Sequence, residues 1–229
     1  MRTPMSQAEQ FEGLVAWLRK ALVSPEQFTV GYNAETSEFI RFNKGKVRQA
    51  GVVQQASLSL KLINEGRHAS VNVTLAGEPA VDQQRVADAL KQLRDTVPLL
   101  PVDPYLLLNP EPWHSHTEQA EALPDTAQVL DEIRRAAHGV DLVGFYASGP
   151  ISYGYASSQG ALGWHEANSF NFDWSLFHSN GQAVKASYAG AQWDSERFAQ
   201  RMQLAREQLA FLDRPAHVLA PGEYRAYLA

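Results

Sequence analysis

Hydrophobic and polar residues alternate with a period of two over two long stretches of the chain, and recur at helical spacing over four others. Ala56, Leu58, Leu60 and Leu62 fall on one side of an extended segment, with Gln55, Ser57, Ser59 and Lys61 on the other. Ala69, Val71, Val73 and Leu75 alternate in the same way with His68, Ser70, Asn72 and Thr74. Phe170, Phe172, Trp174 and Leu176 alternate with Ser169, Asn171, Asp173 and Ser175, and Val184, Ala186 and Tyr188 continue the pattern. Such alternation marks antiparallel strands with one face on a core. Shorter strands are predicted at 28–32, 39–42, 140–147 and 151–157.

Helices are predicted where apolar residues fall three and four apart. Phe11, Leu14, Val15, Leu18 and Leu22 form one stripe, opened by Ser6 and Glu9 in a capping-box arrangement and stopped by Pro25. Val86, Leu90, Leu93 and Val97 form a second between Pro79 and Pro98. A third helix runs from Asp125 to His138 and ends at Gly139, and a fourth carries Phe198, Met202, Ala205, Leu209 and Leu212. Asn43-Lys44-Gly45, Asn64-Glu65-Gly66 and Ser158-Gln159-Gly160 read as turns, and Asn180-Gly181 as a two-residue hairpin turn.

The predicted class is therefore α+β: antiparallel sheets with helices packed on one face. The order helix–strands–helix occurs twice, in residues 1–97 and 125–212. Gly45 precedes Gly66 by 21 residues and Gly160 precedes Gly181 by 21. This is the spacing of a duplicated unit or a coincidence, and the strand registers between those turns do not match residue for residue. Between the units, residues 98–124 hold six of the 12 prolines and read as an ordered crossing or linker. Residues 213–229 read as the start of a further C-terminal domain, with Tyr224, Ala226 and Leu228 on one face of a strand.

Composition narrows the function classes. Twenty basic residues against 25 acidic ones give a net charge of −5, which disfavours a nucleic-acid role. No apolar run approaches the ~18 residues of a membrane span. The first ten residues show no apolar stretch of a signal peptide, and a cytoplasmic location is expected. There is no cysteine, which removes disulfides, thiolate metal sites and a Cys nucleophile.

Candidate chemistry is sparse. His165-Glu166 resembles the opening of a helical zinc motif, but Ser169 and Phe170 stand where the second His belongs. On a strand, His165 and Glu166 point to opposite faces. His114 and His116 could share a metal only in extended backbone, and spacing fixes no third ligand. His138 suits a helix C-terminus, His68 the polar face of its strand, His178 a solvated turn and His217 the tail. Tyr153, Tyr155, Trp164, Phe170, Phe172 and Trp174 read as core in the first place and as a groove lining in the second. No Gly-x-Ser-x-Gly elbow and no phosphate loop occurs. No catalytic, cofactor-binding or metal-binding residue is assigned.

Three segments resemble the TldD/PmbA family. Glu38-Phe39-Ile40-Arg41-Phe42-Asn43-Lys44-Gly45-Lys46-Val47, leading into the strand at 57–63, is similar to the family's opening hairpin. Gly154-Tyr155-Ala156-Ser157-Ser158-Gln159-Gly160 is similar to its Gly-x-Ala-Asn-Ser-x-Gly turn, with Ser157 in place of the usual Asn. Ala220-Pro221-Gly222-Glu223-Tyr224-Arg225-Ala226-Tyr227-Leu228 is similar to the segment that leads into the C-terminal domain. The resemblance implies the N-terminal domain of a cytoplasmic metallopeptidase or its partner subunit, active in proteolysis or peptide maturation. It implies a homo- or heterodimer, a peptide or unfolded-protein substrate, and zinc only in a C-terminal domain. The expected role is to shape the substrate path and the dimer, without catalysis by this chain alone; a stand-alone binding or scaffold protein of the same fold is the alternative.

Overall fold

The computed structural model describes residues 5–119, 121–215 and 217–227. Ser6 caps the first helix, α1 (Gln7–Ala21), accepting from the Glu9 N–H while the Glu9 carboxylate accepts from the Ser6 N–H at 2.8 Å. Three strands follow, β1 (Gln27–Asn43), β2 (Lys46–Asn64) and β3 (Arg67–Leu75). Lys44 and Gly45, and then Glu65 and Gly66, all have positive φ, which matches the twist of a tight two-residue hairpin. Helix α2 (Pro79–Thr96) completes the first unit and runs into a single 3₁₀ turn over Val97–Leu99.

Within the Pro-rich connection a short strand, β4 (His114–Gln119), forms. The second unit is α3 (Thr126–Ala136), β5 (Asp141–Ser157), β6 (Leu162–Phe177), β7 (Ala183–Gly190) and α4 (Ser195–Phe211). Among the described residues no helix is long and apolar enough to cross a membrane.

All seven strands belong to one sheet, ordered β3-β2-β1-β5-β6, with β6 flanked by both β4 and β7. The separate sheets expected for the two units are joined because β1 and β5 pair antiparallel along almost their whole lengths. Every pairing is antiparallel except β4 on β6, which is parallel.

The expected helical stripes face the sheet. Phe11, Leu14, Val15 and Leu18 of α1 and Val86, Leu90 and Leu93 of α2 pack on Phe28, Val30, Leu58, Leu60 and Leu62. Val129 and Ile133 of α3 and Phe198 and Met202 of α4 pack on Leu142, Tyr146, Phe172, Trp174 and Leu176. In β1 and β5 the buried apolar residues are all at even positions, so both helix pairs cover the same face; Ser37, Gly149 and Ser157 are the odd positions that are also buried.

The two helix–strands–helix stretches share one strand register. β1 pairs Tyr32 with Leu58 and Phe28 with Leu62; β5 pairs Tyr146 with Phe172 and Leu142 with Leu176. Each residue of the second set lies 114 positions after its counterpart in the first. The turn glycines are 115 apart, so superposing the turns slides the strands by one residue and hides the match. The β1–β5 pairing is symmetric about Thr36 and Pro150, which marks a pseudo-twofold axis through the middle of the sheet.

That axis explains the main departures from expectation. Two short strands were expected in place of β1 and two in place of β5, broken at 33–38 and 148–150. The strands run through both breaks. Polar residues sit there, at the centre of the sheet between the two helix pairs, and two of them, Ser37 and Ser148, are buried. Pairing lapses only at Thr36–Ser37 opposite Gly149–Pro150. A Cβ at Gly149 would collide with the Thr36 carbonyl oxygen, so the close approach requires glycine.

Two further expectations are corrected. Asn180-Gly181 is part of a five-residue loop between Phe177 and Ala183, in which His178 N–H donates to the Gln182 carbonyl at 2.8 Å. Gly181 has positive φ and Asn180 does not, so the tight hairpin turn does not form. The strand expected at 224–228 is also absent: residues 223–227 are exposed coil, Leu228 lying outside the described residues. Tyr224 turns back locally, its hydroxyl donating to the Ala220 carbonyl at 2.7 Å.

Candidate functional site

The helices leave the opposite face of the sheet bare. Odd-numbered residues of β1 and β5 point there, and their pairing carries the face across to β2 and β6. On most sheets with one solvated face these positions are small and polar. Here Phe39, Val143, Phe145, Tyr153 and Tyr155 occupy them, and the last four are each more than a third exposed.

The aromatic residues form two groups on either side of the axis. Phe39 stacks on Phe145 with centroids 5.9 Å apart, and the Arg41 guanidinium lies 5.6 Å from the Phe145 ring centre. Arg48, Asp173 and Lys185 border the same shallow depression, about 470 Å³ in volume. On the other side Trp113 stacks on Tyr155 with ring planes 3° apart. Trp113 reaches that position because Gly163 beneath it has no side chain; a Cβ there would meet the indole at 2.7 Å. The Trp113 carbonyl then accepts from the Leu162 N–H at 2.8 Å, and this contact starts β4.

An aromatic face of this kind binds by desolvation. Tyr, Trp, Phe and Arg give large contact area at little entropic cost and dominate recognition surfaces. Arg41 adds a cation that the rings already orient. Asn33 and the Asn171–Asp173 pair, hydrogen-bonded at 3.0 Å, supply polar groups at the margins. The face offers binding chemistry and no assembled nucleophile and base.

The histidines are dispersed. His165 faces the bare side between Thr117 and Tyr153, while Glu166 is on the helix side and accepts from the buried Ser152 hydroxyl at 3.0 Å. His116 pairs with Glu118 at 2.8 Å, and with His114 it lies on strand β4, within the stretch read as an ordered crossing or linker. His68 meets Asp103 at 3.0 Å and holds that carboxyl below its usual range. His178 is more enclosed than expected, its ring 2.9 Å from Asp213. The carbonyl of His138 accepts from Arg206, and His217 is exposed in the C-terminal coil. Among the described residues no three His, Asp or Glu side chains converge as a metal cage would require. The zinc that the sequence resemblance implies therefore finds no fitting donor set in the described part of this chain.

Of the six aromatic residues considered from the sequence, Trp164, Phe170, Phe172 and Trp174 are core, and Tyr153 and Tyr155 are on the bare face. Strand parity separates them, since β5 buries its even positions. Phe39, Phe145 and Trp113 were missed: the first two fall in strands short enough that either face could be the core, and Trp113 lies in the Pro-rich stretch.

No protein-family model matches the sequence, and no curated protein does. Solved structures do match. TldE from Thermococcus kodakarensis superposes with a TM-score of 0.61 at 12% identity, over 88% of this chain and 47% of that one. The chain has the TldD/PmbA fold. A proposed modulator of DNA gyrase from Bacteroides thetaiotaomicron matches with a TM-score of 0.55 at 14% identity, over 87% of this chain and 49% of that one. Another from Thermotoga maritima matches at 0.52 and 11%, over 90% and 48%. The chain spans about half the length of these TldD/PmbA-type structures.

Proposed function

We propose that this chain is the N-terminal, substrate-guiding part of a TldD/PmbA-type peptidase, working in cytoplasmic proteolysis or peptide maturation and not catalytic alone. The observation that carries the reading is the bare aromatic face of a sheet whose fold matches half of TldE. A face bearing Phe145, Tyr153, Tyr155 and Trp113 is costly to leave in water and gains most when covered by a protein or peptide surface. In this reading one part of the face lines the path of an unfolded peptide, and the remainder meets a homo- or heterodimer partner.

The division of labour follows from the side chains. Aromatic rings hold an extended substrate through apolar contact without demanding a sequence, while Arg41 and the Asn171–Asp173 pair orient its carbonyl and amide groups. Bond cleavage falls to residues outside this chain.

A binding and hydrolysis assay tests the proposal. The 229-residue protein is mixed with a fluorescent, permanently unfolded peptide mixture, and both anisotropy and fragment masses are followed. The expected result is saturable binding with intact peptides, weakened about tenfold in the Phe145→Asp, Tyr155→Asp double variant. Cleavage by the protein alone, or binding that the double variant leaves unchanged, overturns it.

A further inference from the structure

The internal symmetry exposes an unfilled position at the edge of the sheet. β6 carries two neighbours on its outer side, β7 against residues 170–177 and β4 against residues 162–167. Its counterpart β2 carries only one, β3 against residues 56–64. Moved back by 114 residues, the stretch of β6 that β4 covers becomes 48–53 of β2. Among the described residues no strand pairs with the outer side of β2 at 46–55, and that stretch is largely exposed. The same framework thus shows one edge filled by an extended segment and the equivalent edge open.

From residue 49 onward the open edge also lacks the usual protection. Exposed edges are normally blunted by charge, proline or a bulge. Gln49-Ala50-Gly51-Val52-Val53-Gln54-Gln55 contains no charged residue and no proline, and Val52 is 66% exposed. A bulge does occur, but at the hairpin end: Arg41 pairs with Gln49 and Phe42 with Val47, so Arg48 is extruded before the open stretch begins.

Charge is distributed unevenly along this edge. Arg41, Lys44, Lys46 and Arg48 cluster at the hairpin end, with no acidic residue between Phe39 and Gln55, in a protein of net charge −5. At the far end Glu35 is engaged by Gln55 at 2.6 Å and by Ser37, and midway along, opposite Val52, Glu38 is engaged by Thr126 at 2.9 Å.

We infer that residues 49–55 of β2 take up an extended peptide segment as an added strand, parallel to β2 as β4 is to β6, with acidic residues at the peptide's N-terminal end beside Lys44, Lys46 and Arg48. Main-chain hydrogen bonds supply the affinity and are blind to sequence, while the basic end sets direction and charge preference. The inference rests on the edge and the symmetry, not on the peptidase reading; its peptide lies along the sheet edge, and only Arg41 and Arg48 of its basic end also border the aromatic face.

The test uses the full chain and a labelled decapeptide with three acidic residues followed by alternating threonine and valine. Hydrogen exchange is expected to show new protection at amides within 49–55 when the peptide is added. Affinity is expected to fall about tenfold in Lys46→Glu, Arg48→Glu, and also when lysines replace the acidic residues or the acidic residues move to the peptide's C-terminal end. Val52→Lys, which places a charge on the edge, is expected to abolish binding; the charge-reversal variant keeps the test decisive if Val52→Lys does not fold. Protection confined to other residues, equal affinity for the lysine or reversed peptide, or a concentration-dependent dimer that protects 49–55 without peptide overturns the inference.

Discussion

Trp113 lies flat against Tyr155, with centroids 5.9 Å apart, and its carbonyl holds the Leu162 amide. This contact ties the Pro-rich connection to the sheet, because β4 begins at the next residue and every residue of β4 is exposed. With little burial of its own, β4 depends on this anchor.

Trp113→Ala is therefore expected to cost about 1 kcal/mol in global stability, the scale of an aromatic pair. Its larger effect is local. Amide exchange at residues 115–119 should accelerate by more than exchange in β5, because the anchor is lost while the sheet persists. Equal acceleration in both would show that β4 is held by its own pairing with β6.

The pseudo-twofold axis is tested at Gly149. Adding a methyl group there drives it into the Thr36 carbonyl, which belongs to strand β1 and has no room to yield. Gly149→Ala is expected to destabilise the protein by about 2 kcal/mol or more, whereas Gly31→Ala, where a Cβ meets nothing within 4 Å, should shift the midpoint little. Chemical denaturation of the two variants checks the contrast.

Glu26 and Arg94 join the end of α2 to the segment after α1. Two guanidinium nitrogens reach the carboxylate at 2.8 and 2.7 Å, and the Glu26 side chain is only 10% exposed. The hydrogen bond from Arg94 holds the Glu26 carboxyl below its ordinary value of 4.5. A depressed folded-state value means the contribution is present above pH 4.5 and is lost as pH falls through the lower folded-state value. Arg94→Met is expected to lower stability by about 1–3 kcal/mol at neutral pH and to flatten the acid limb of the stability profile.

Tyr32 and Tyr146 are both raised by burial and contribute on the alkaline side. Burial pushes the Tyr32 hydroxyl up to about 12, helped by the charges of Asp82 and Glu166. A raised folded-state value means its contribution is complete below pH 10 and is lost as pH climbs towards 12. Tyr32→Phe should remove this part of the alkaline loss, measured as the pH dependence of the denaturation midpoint between 10 and 12.

Much of the fold is legible in the residues because core burial and turn chemistry are local. The capping box at Ser6–Glu9, the stripes of α1 and α2, and the alternation at 56–75 and 169–188 all follow from spacing that one element displays alone. The continuous β1 and β5 were not legible, because the polar strip around Thr36 and Pro150 is stable only when these two strands lie side by side. β4 was hidden for the same reason: His114–Gln119 has no apolar alternation and owes its conformation to β6. The bare aromatic face could not be separated from the core by pattern. Tyr153 and Phe172 are both strand aromatics, and only the pairing of their strands shows that they lie on opposite faces.

In the proposed function an unfolded peptide is held on the bare face of this sheet and is not cut there. The most direct measurement places a photoreactive benzophenone on a reduced, carboxymethylated unfolded protein, irradiates it with the 229-residue chain, and maps the crosslinks by mass spectrometry. The account predicts crosslinks on the bare-face strands around Phe39, Phe145, Tyr153 and Tyr155, with the unfolded protein uncleaved. Crosslinks spread over the helices α1–α4, or cleavage of the unfolded protein by the chain alone, would contradict it.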